Sequence, residues 1–208
     1  MAIVCGNCFV LKPSERDPSA ALFVAQLLYE AGLPKGVLNV VNGGKEAVDT
    51  LLTDERVQAV SFVGSTAIAK YVYMTATEHD KRCQALGGAK NHAIVMQDAE
   101  MENTVNALIG AAFGSSGERC MAISVAVAVG SETADNLIAG LKSKMHNLKV
   151  GNFDDSNNDF GPLITKDHME KVKQYITSAE AQGADIVVDG RSVNVKGCEN
   201  GFYVGGTL

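Results

Sequence analysis

Short apolar runs alternate with stretches of helical period along the whole chain. Ile3 to Leu11 reads as a strand, interrupted at Gly6-Asn7 and ended by Lys12-Pro13-Ser14. Asp17 or Ser19 then caps a helix to about Ala31, with Ala21, Val24, Ala25 and Leu28 on one face and Gly32 as its stop. Val37 to Val41 is a short strand, Lys45 to Leu52 a helix and Val57 to Val63 a strand. Gly64-Ser65-Thr66 opens another helix, to about Thr77. This βαβαβ order with short apolar strands predicts a parallel sheet covered on both faces. Arg82 to Leu86 and His92 to Met96 read as strands on either side of Gly87-Gly88. A helix from Glu102 to Phe113 leads to Ser115-Ser116-Gly117 and Cys120, and Ile123 to Val129 is a long strand. Helices follow over Glu132 to Leu148 and Lys166 to Gln182, and Ile186 to Asp189 is a last strand. The Gly-rich segment Arg191 to Leu208 has no closing helix. The expected domain border is Gly87-Gly88. Neither end reads as a domain end, so the chain is expected to be a piece of a larger protein.

Composition narrows the classes. The 208 residues are 46% hydrophobic and 20% charged, enough for a soluble core. A net charge of -6 and the absence of a basic stripe argue against a nucleic-acid partner. No apolar run is long enough to span a bilayer, and the start lacks the plan of a signal peptide. Five irregularly spaced cysteines point to a reducing, cytoplasmic compartment rather than a disulfide framework. Cys5-Gly6-Asn7-Cys8 has CxxC spacing but no second pair and no histidines at ligand spacing, so no metal is expected. His79, His92, His146 and His168 show no pairing, and no hydrolase triad order is evident.

Three places carry chemistry. Cys120 lies in Ser116-Gly117-Glu118-Arg119-Cys120-Met121-Ala122, on a Gly-containing turn beside an arginine. An adjacent cation favours the thiolate, which is the nucleophilic form. At Val63-Gly64-Ser65-Thr66 a strand runs through a glycine into a helix start, whose free N–H groups and dipole suit a phosphate. The plainer reading of Ser65 and Thr66 is an ordinary N-cap, and the GxGxxG fingerprint is absent. At the end of the first strand, Lys12 and Glu15 are spaced to clasp two ribose hydroxyls; the plainer reading is a solvated loop.

Together, Gly6-Asn7 through Lys12-Pro13-Ser14-Glu15, Phe62-Val63-Gly64-Ser65-Thr66, Leu86-Gly87-Gly88 and Gly117-Glu118-Arg119-Cys120 resemble the aldehyde dehydrogenase superfamily. Gln84 to His92 and Gly117 to Ala122 resemble its CoA-acylating methylmalonate-semialdehyde branch. The resemblance implies an α/β fold. Residues 1–86 would be the later part of a Rossmann-like NAD-binding domain, and residues 87–208 the first part of an α/β catalytic domain.

It also implies roles. Cys120 would attack the aldehyde and carry a thioester. Lys12 and Glu15, with Arg16 adjacent, would hold the adenosine ribose of NAD. Gly64 and Ser65 would meet the pyrophosphate, Leu86 and Gly87 would lie near the nicotinamide, and Arg119 would hold a substrate carboxylate. Hydrolytic relatives resemble Glu-Leu-Gly-Gly at the turn where this chain is read as having Ala85. Without that base, CoA becomes the expected acyl acceptor. The expected partners are a small semialdehyde and, for the whole protein, further copies of itself, with no membrane. The alternative is a catalytically silent nucleotide-binding or interaction module. An exposed sheet edge should make the chain self-associate.

Overall fold

The computed structural model describes residues 1–208. The chain divides into two compact units, Met1–Gly88 and Ala89–Leu208. The first unit runs β1 (Phe9–Leu11), α1 (Ser19–Glu30), β2 (Leu38–Val40), α2 (Lys45–Thr53), β3 (Ala59–Val63), α3 (Thr66–Glu78) and β4 (Arg82–Leu86). β1 pairs in parallel with β2, and β3 with β4, Ala59 standing opposite Arg82. The alternation of strand and helix read from the sequence is therefore present. One sheet covered on both faces is not.

The strand pattern gives the reason. In β3 and β4 every second side chain, Val60, Phe62, Cys83 and Ala85, turns inward onto Leu52, Val72 and Ala76 of α2 and α3. The intervening residues, among them Ser61, Val63, Gln84 and Leu86, are exposed. Period-two alternation sends half of each strand to a face that no element of the unit covers.

Two further expectations fail at strand ends. Ile3 to Leu11 is not one strand, because residues 2–6 fold into a turn with Gly6 at φ +81°. The Asn7 side chain donates to the Ala2 carbonyl at 3.2 Å, closing that turn, so pairing starts only at Phe9. Local Asn–Gly chemistry outcompetes the ladder there. Ile186 to Asp189 forms no strand either. The Val187 and Val188 N–H groups donate to the Leu208 carbonyl and the Leu208 N–H returns to Val188, so the bonds gather on one residue and no ladder extends.

Helix stops follow the sequence more closely. After α1, Gly32 takes φ +97°. Its N–H donates to Tyr29 and that of Leu33 to Leu28, the paired bonds of a Schellman end. The start of α1 differs from expectation: Pro18 is the N-cap, and no side chain bonds the first turn.

The second unit contains β5 (Asn91–Val95), α4 (Met101–Phe113), a 3-10 turn (Gly114–Gly117), β6 (Ile123–Ala128), α5 (Ser131–Met145) and α6 (Lys166–Ala181). β5 and β6 are parallel. Val95, Val105, Leu108, Leu137 and Leu141 bury together where α4 and α5 cover the pair. A second cluster, Leu163, Met169 and Val204, seats α6 against the last residues. α4 is capped by the Glu100 carboxylate, which accepts from Asn103 at 2.7 Å, and α6 by Thr165.

Candidate active site

In the second unit the parallel register sets Asn91, first residue of β5, opposite Ile123, first residue of β6. The segment that leads into β6 therefore passes the start of β5. That segment is the cysteine turn. The buried face of α4 carries the chain to Phe113, after which Ser115, Ser116 and Gly117 all adopt left-handed backbone (φ +54°, +55° and +74°). Such a conformation costs a non-glycine residue about 1–2 kcal/mol, so two serines are held there by their surroundings. The Ser116 hydroxyl donates to the Gly161 carbonyl at 2.6 Å, and the Glu118 N–H to Ser115 at 2.9 Å. The Arg119 side chain lies across Gly114, where a Cβ would come within 2.8 Å of its guanidinium.

Arg119 and Cys120 are exposed at the end of this turn. The Ala122 N–H donates to the Arg119 carbonyl at 3.0 Å, closing a β-turn around Cys120 and Met121. The Asn91 side chain reaches this turn from β5. Its Nδ2 donates to the Cys120 carbonyl and to the Ala122 carbonyl, both at 2.9 Å. Glu118 pairs with His168 of α6 at 3.1 Å, although the histidines show no pairing in the sequence. Burial pushes the Glu118 carboxyl above its ordinary value. His168 and the Ile164 backbone bond oppose that rise.

The sequence missed both Asn91 and the Glu118–His168 pair. Neither has a local signature, since each partner arrives from a distant element.

In the first unit, Lys12 sits mostly covered at the end of β1, its ammonium donating to the carbonyls of Pro13 and Gly43, the latter at 2.9 Å. Glu15 stands 3.4 Å from that ammonium and is open to solvent. The Glu15 carboxyl is held below its ordinary value, first by a backbone hydrogen bond and then by Lys12. Arg16 is exposed, with its backbone N–H held by the Ser14 hydroxyl at 3.2 Å.

At the start of α3, Ser65 occupies the N-cap position but makes no capping bond, so its hydroxyl stays free. The Thr66 hydroxyl accepts from the Gly88 N–H at 3.0 Å. A side chain would be crowded on either side of this helix start. A Cβ at Gly64 would meet the Phe62 ring at 2.5 Å, and one at Gly87 would meet Thr66 at 3.0 Å. Bare backbone, a free hydroxyl and the positive end of a 13-residue helix fit a pyrophosphate. The open Glu15 carboxylate fits a ribose hydroxyl.

A model of the aldehyde dehydrogenase family matches residues 1–208. The chain belongs to the aldehyde dehydrogenase family. It is 60% identical over all 208 residues to a malonate-semialdehyde dehydrogenase of Pseudomonas aeruginosa and 55% identical to one of Bacillus cytotoxicus. In each case it spans 42% of the relative's length. Its fold superposes with a TM-score of 0.96 on a methylmalonate-semialdehyde dehydrogenase from Oceanimonas doudoroffii, 71% identical, covering 100% of this chain and 43% of that one. A second structure named for that activity, from Sinorhizobium meliloti 1021 and complexed with NAD, is 56% identical. It superposes at a TM-score of 0.96, covering 100% of this chain and 42% of that one. No helix of this family member is long and apolar enough to cross a membrane.

The aldehyde dehydrogenase turn was read with Ala85 in place of the glutamate of hydrolytic relatives. Strand β4 turns Ala85 inward against Leu52, Val72 and Ala76. A carboxylate there would point into the core. Leu86, the next residue, points outward and is 50% exposed. The outward side chain at this strand end is that of Leu86, beside Ala85. The outward position also lacks a base.

Proposed function

We propose that this chain supplies the nucleophile and part of the cofactor cradle for NAD-dependent oxidation of malonate or methylmalonate semialdehyde to an acyl-CoA. The observation that carries the reading is the exposed Cys120, held on a turn fixed from three directions with Arg119 beside it. The Cys120 thiolate adds to the aldehyde carbon and gives a thiohemiacetal. NAD, when bound, supplies the acceptor for the hydride that leaves this carbon, and a thioester remains on Cys120. The Arg119 guanidinium matches the substrate carboxylate in a bidentate pair.

Leu86 and Ala85 offer no base to activate water, which favours a sulfur acceptor that arrives as its own thiolate. CoA attacks the thioester carbonyl and the Cys120 thiolate leaves. Carbon balance from malonate semialdehyde to acetyl-CoA, or from methylmalonate semialdehyde to propionyl-CoA, requires loss of the carboxylate as CO2. Glu15 would accept from an adenosine ribose hydroxyl with Lys12 and Arg16 around it. Ser65 and the bare backbone at Gly64 would meet the pyrophosphate, and Leu86 and Gly87 would border the nicotinamide.

The test is site-resolved alkylation. Iodoacetamide at neutral pH should modify Cys120 faster than Cys5 and Cys8, which are also exposed, and methylmalonate semialdehyde should slow only Cys120. Equal rates at the three thiols, with no protection, would leave a silent nucleotide-binding module as the better description.

A further inference from the structure

Asn91 has a use that the reaction as outlined does not assign. One Nδ2 atom donates both of its hydrogens to the nucleophile turn, to the carbonyls of Cys120 and Ala122, each at 2.9 Å. The amide orientation follows from the partners, because two carbonyl oxygens can only accept. The backbone is shaped for this contact. The β5–β6 register slips between Asn91 and His92, which face Ile123 and Val125, so β6 carries one extra residue just after the turn. Bulges of this kind re-aim side chains beside functional sites.

Other contacts hold the segment at a distance from the thiol. Ser116 is tied to Gly161, and Glu118 to His168. Asn91 alone among the side chains bonds a carbonyl of Cys120 itself. That carbonyl shares a peptide unit with the Met121 N–H, and the Arg119 carbonyl, bonded by the Ala122 N–H, shares one with the Cys120 N–H. Hydrogen bonds at both carbonyls polarise the two N–H groups next to the thiol and fix their direction.

We propose that Asn91 is a positioning residue for the Cys120 nucleophile. It locks the 119–122 turn so that the thiol, the Arg119 guanidinium and the two polarised N–H groups keep one geometry. The proposal rests on the catalytic reading of Cys120 and Arg119 and goes beyond it by naming what sets their geometry.

Paired alkylating agents on the 208-residue chain test it. Iodoacetate carries a carboxylate and iodoacetamide does not, so the ratio of their rates at Cys120, normalised to Cys5, reads how Arg119 is set against the thiol. Asn91→Ala should lower that ratio roughly fivefold, the scale of one or two ordinary hydrogen bonds, with an unchanged far-UV spectrum. Amide exchange should accelerate in the 118–122 peptide and stay unchanged in the 105–108 and 137–141 core. An unchanged ratio together with unchanged exchange would overturn the proposal.

Arg119→Ala separates the two levels. If it leaves the ratio untouched, the carboxylate-binding reading fails, and exchange at 118–122 alone decides the role of Asn91. If it lowers the ratio while Asn91→Ala does not, Asn91 is not the positioning residue. Should Asn91→Ala unfold the unit, Asn91→Ser, neutral and too short to bond both carbonyls, should give the same two changes.

Discussion

Glu118 sits two residues before the nucleophile, half-buried and paired with His168, and burial is the largest influence on its carboxyl. Its proton is bound more tightly in the folded chain than in the unfolded one. The stabilisation it contributes is therefore full below the unfolded pKa and is lost as pH rises through the raised folded value. Glu118→Gln should flatten the rise of stability toward acid that this group causes. The variant should gain on the wild type at pH 7 relative to pH 4 in denaturant titrations at both pH values. An unchanged pH profile would mean that His168 compensates the burial in full. The Glu15 carboxyl is shifted the other way, below its ordinary value. It stays an acceptor throughout the neutral range, as a ribose contact needs.

At the scale of elements, glycine positions separate sharply by what surrounds them. Gly190 and Gly205 bring two strands of irregular chain into contact: the Gly205 N–H donates to Gly190 at 2.9 Å, and a Cβ on Gly190 would fall 2.0 Å from the Gly205 carbonyl oxygen. Backbone cannot yield there as a flexible side chain would. Gly190→Ala should cost the second unit about 1–3 kcal/mol or more. Gly110, inside α4, has open space around it. Gly110→Ala should stabilise the same unit by about 0.5–1 kcal/mol through helix propensity. Thermal unfolding of the pair should move in opposite directions, and a common direction would show that propensity rather than contact governs both sites. Helix α3 makes a related point. Past its last residue, Glu78, Asp80 takes φ +57°; the Asp80 N–H donates to Thr77 and that of Lys81 to Ala76, so the place glycine usually fills at a helix stop is taken by an aspartate.

At the scale of the molecule, the chain exposes 14044 Å². Two separate folded units of these sizes would expose about 11,000 Å² together. Many large apolar side chains lie on this surface. No residue of α1 is buried, and Phe23, Val24 and Tyr29 are 60%, 54% and 56% exposed; Ile94 on β5 is 69% exposed. Surface of this kind associates in water. Size-exclusion chromatography should give a concentration-dependent mass above 21.9 kDa. Phe23→Glu with Leu27→Glu should reduce it without loss of helix, because neither side chain supports a core. A sharp monomer peak at all concentrations would refute the expectation.

The sequence by itself determined the order of strands and helices, the glycine after α1 and the four motif segments. The order of elements and the helix stop depend on rules that act over a few residues: period two, period 3.6 and the φ range of glycine. The four segments were legible only through the family resemblance. Only the tertiary structure decided which strand residue faces out at the β4 end. Only it brought Asn91 to the Cys120 carbonyl and His168 to Glu118. It also left the early residues in a turn and the 186–189 segment without a ladder. Those outcomes depend on register and packing between segments far apart in the chain, and no local pattern encodes which carbonyl a distant amide will find.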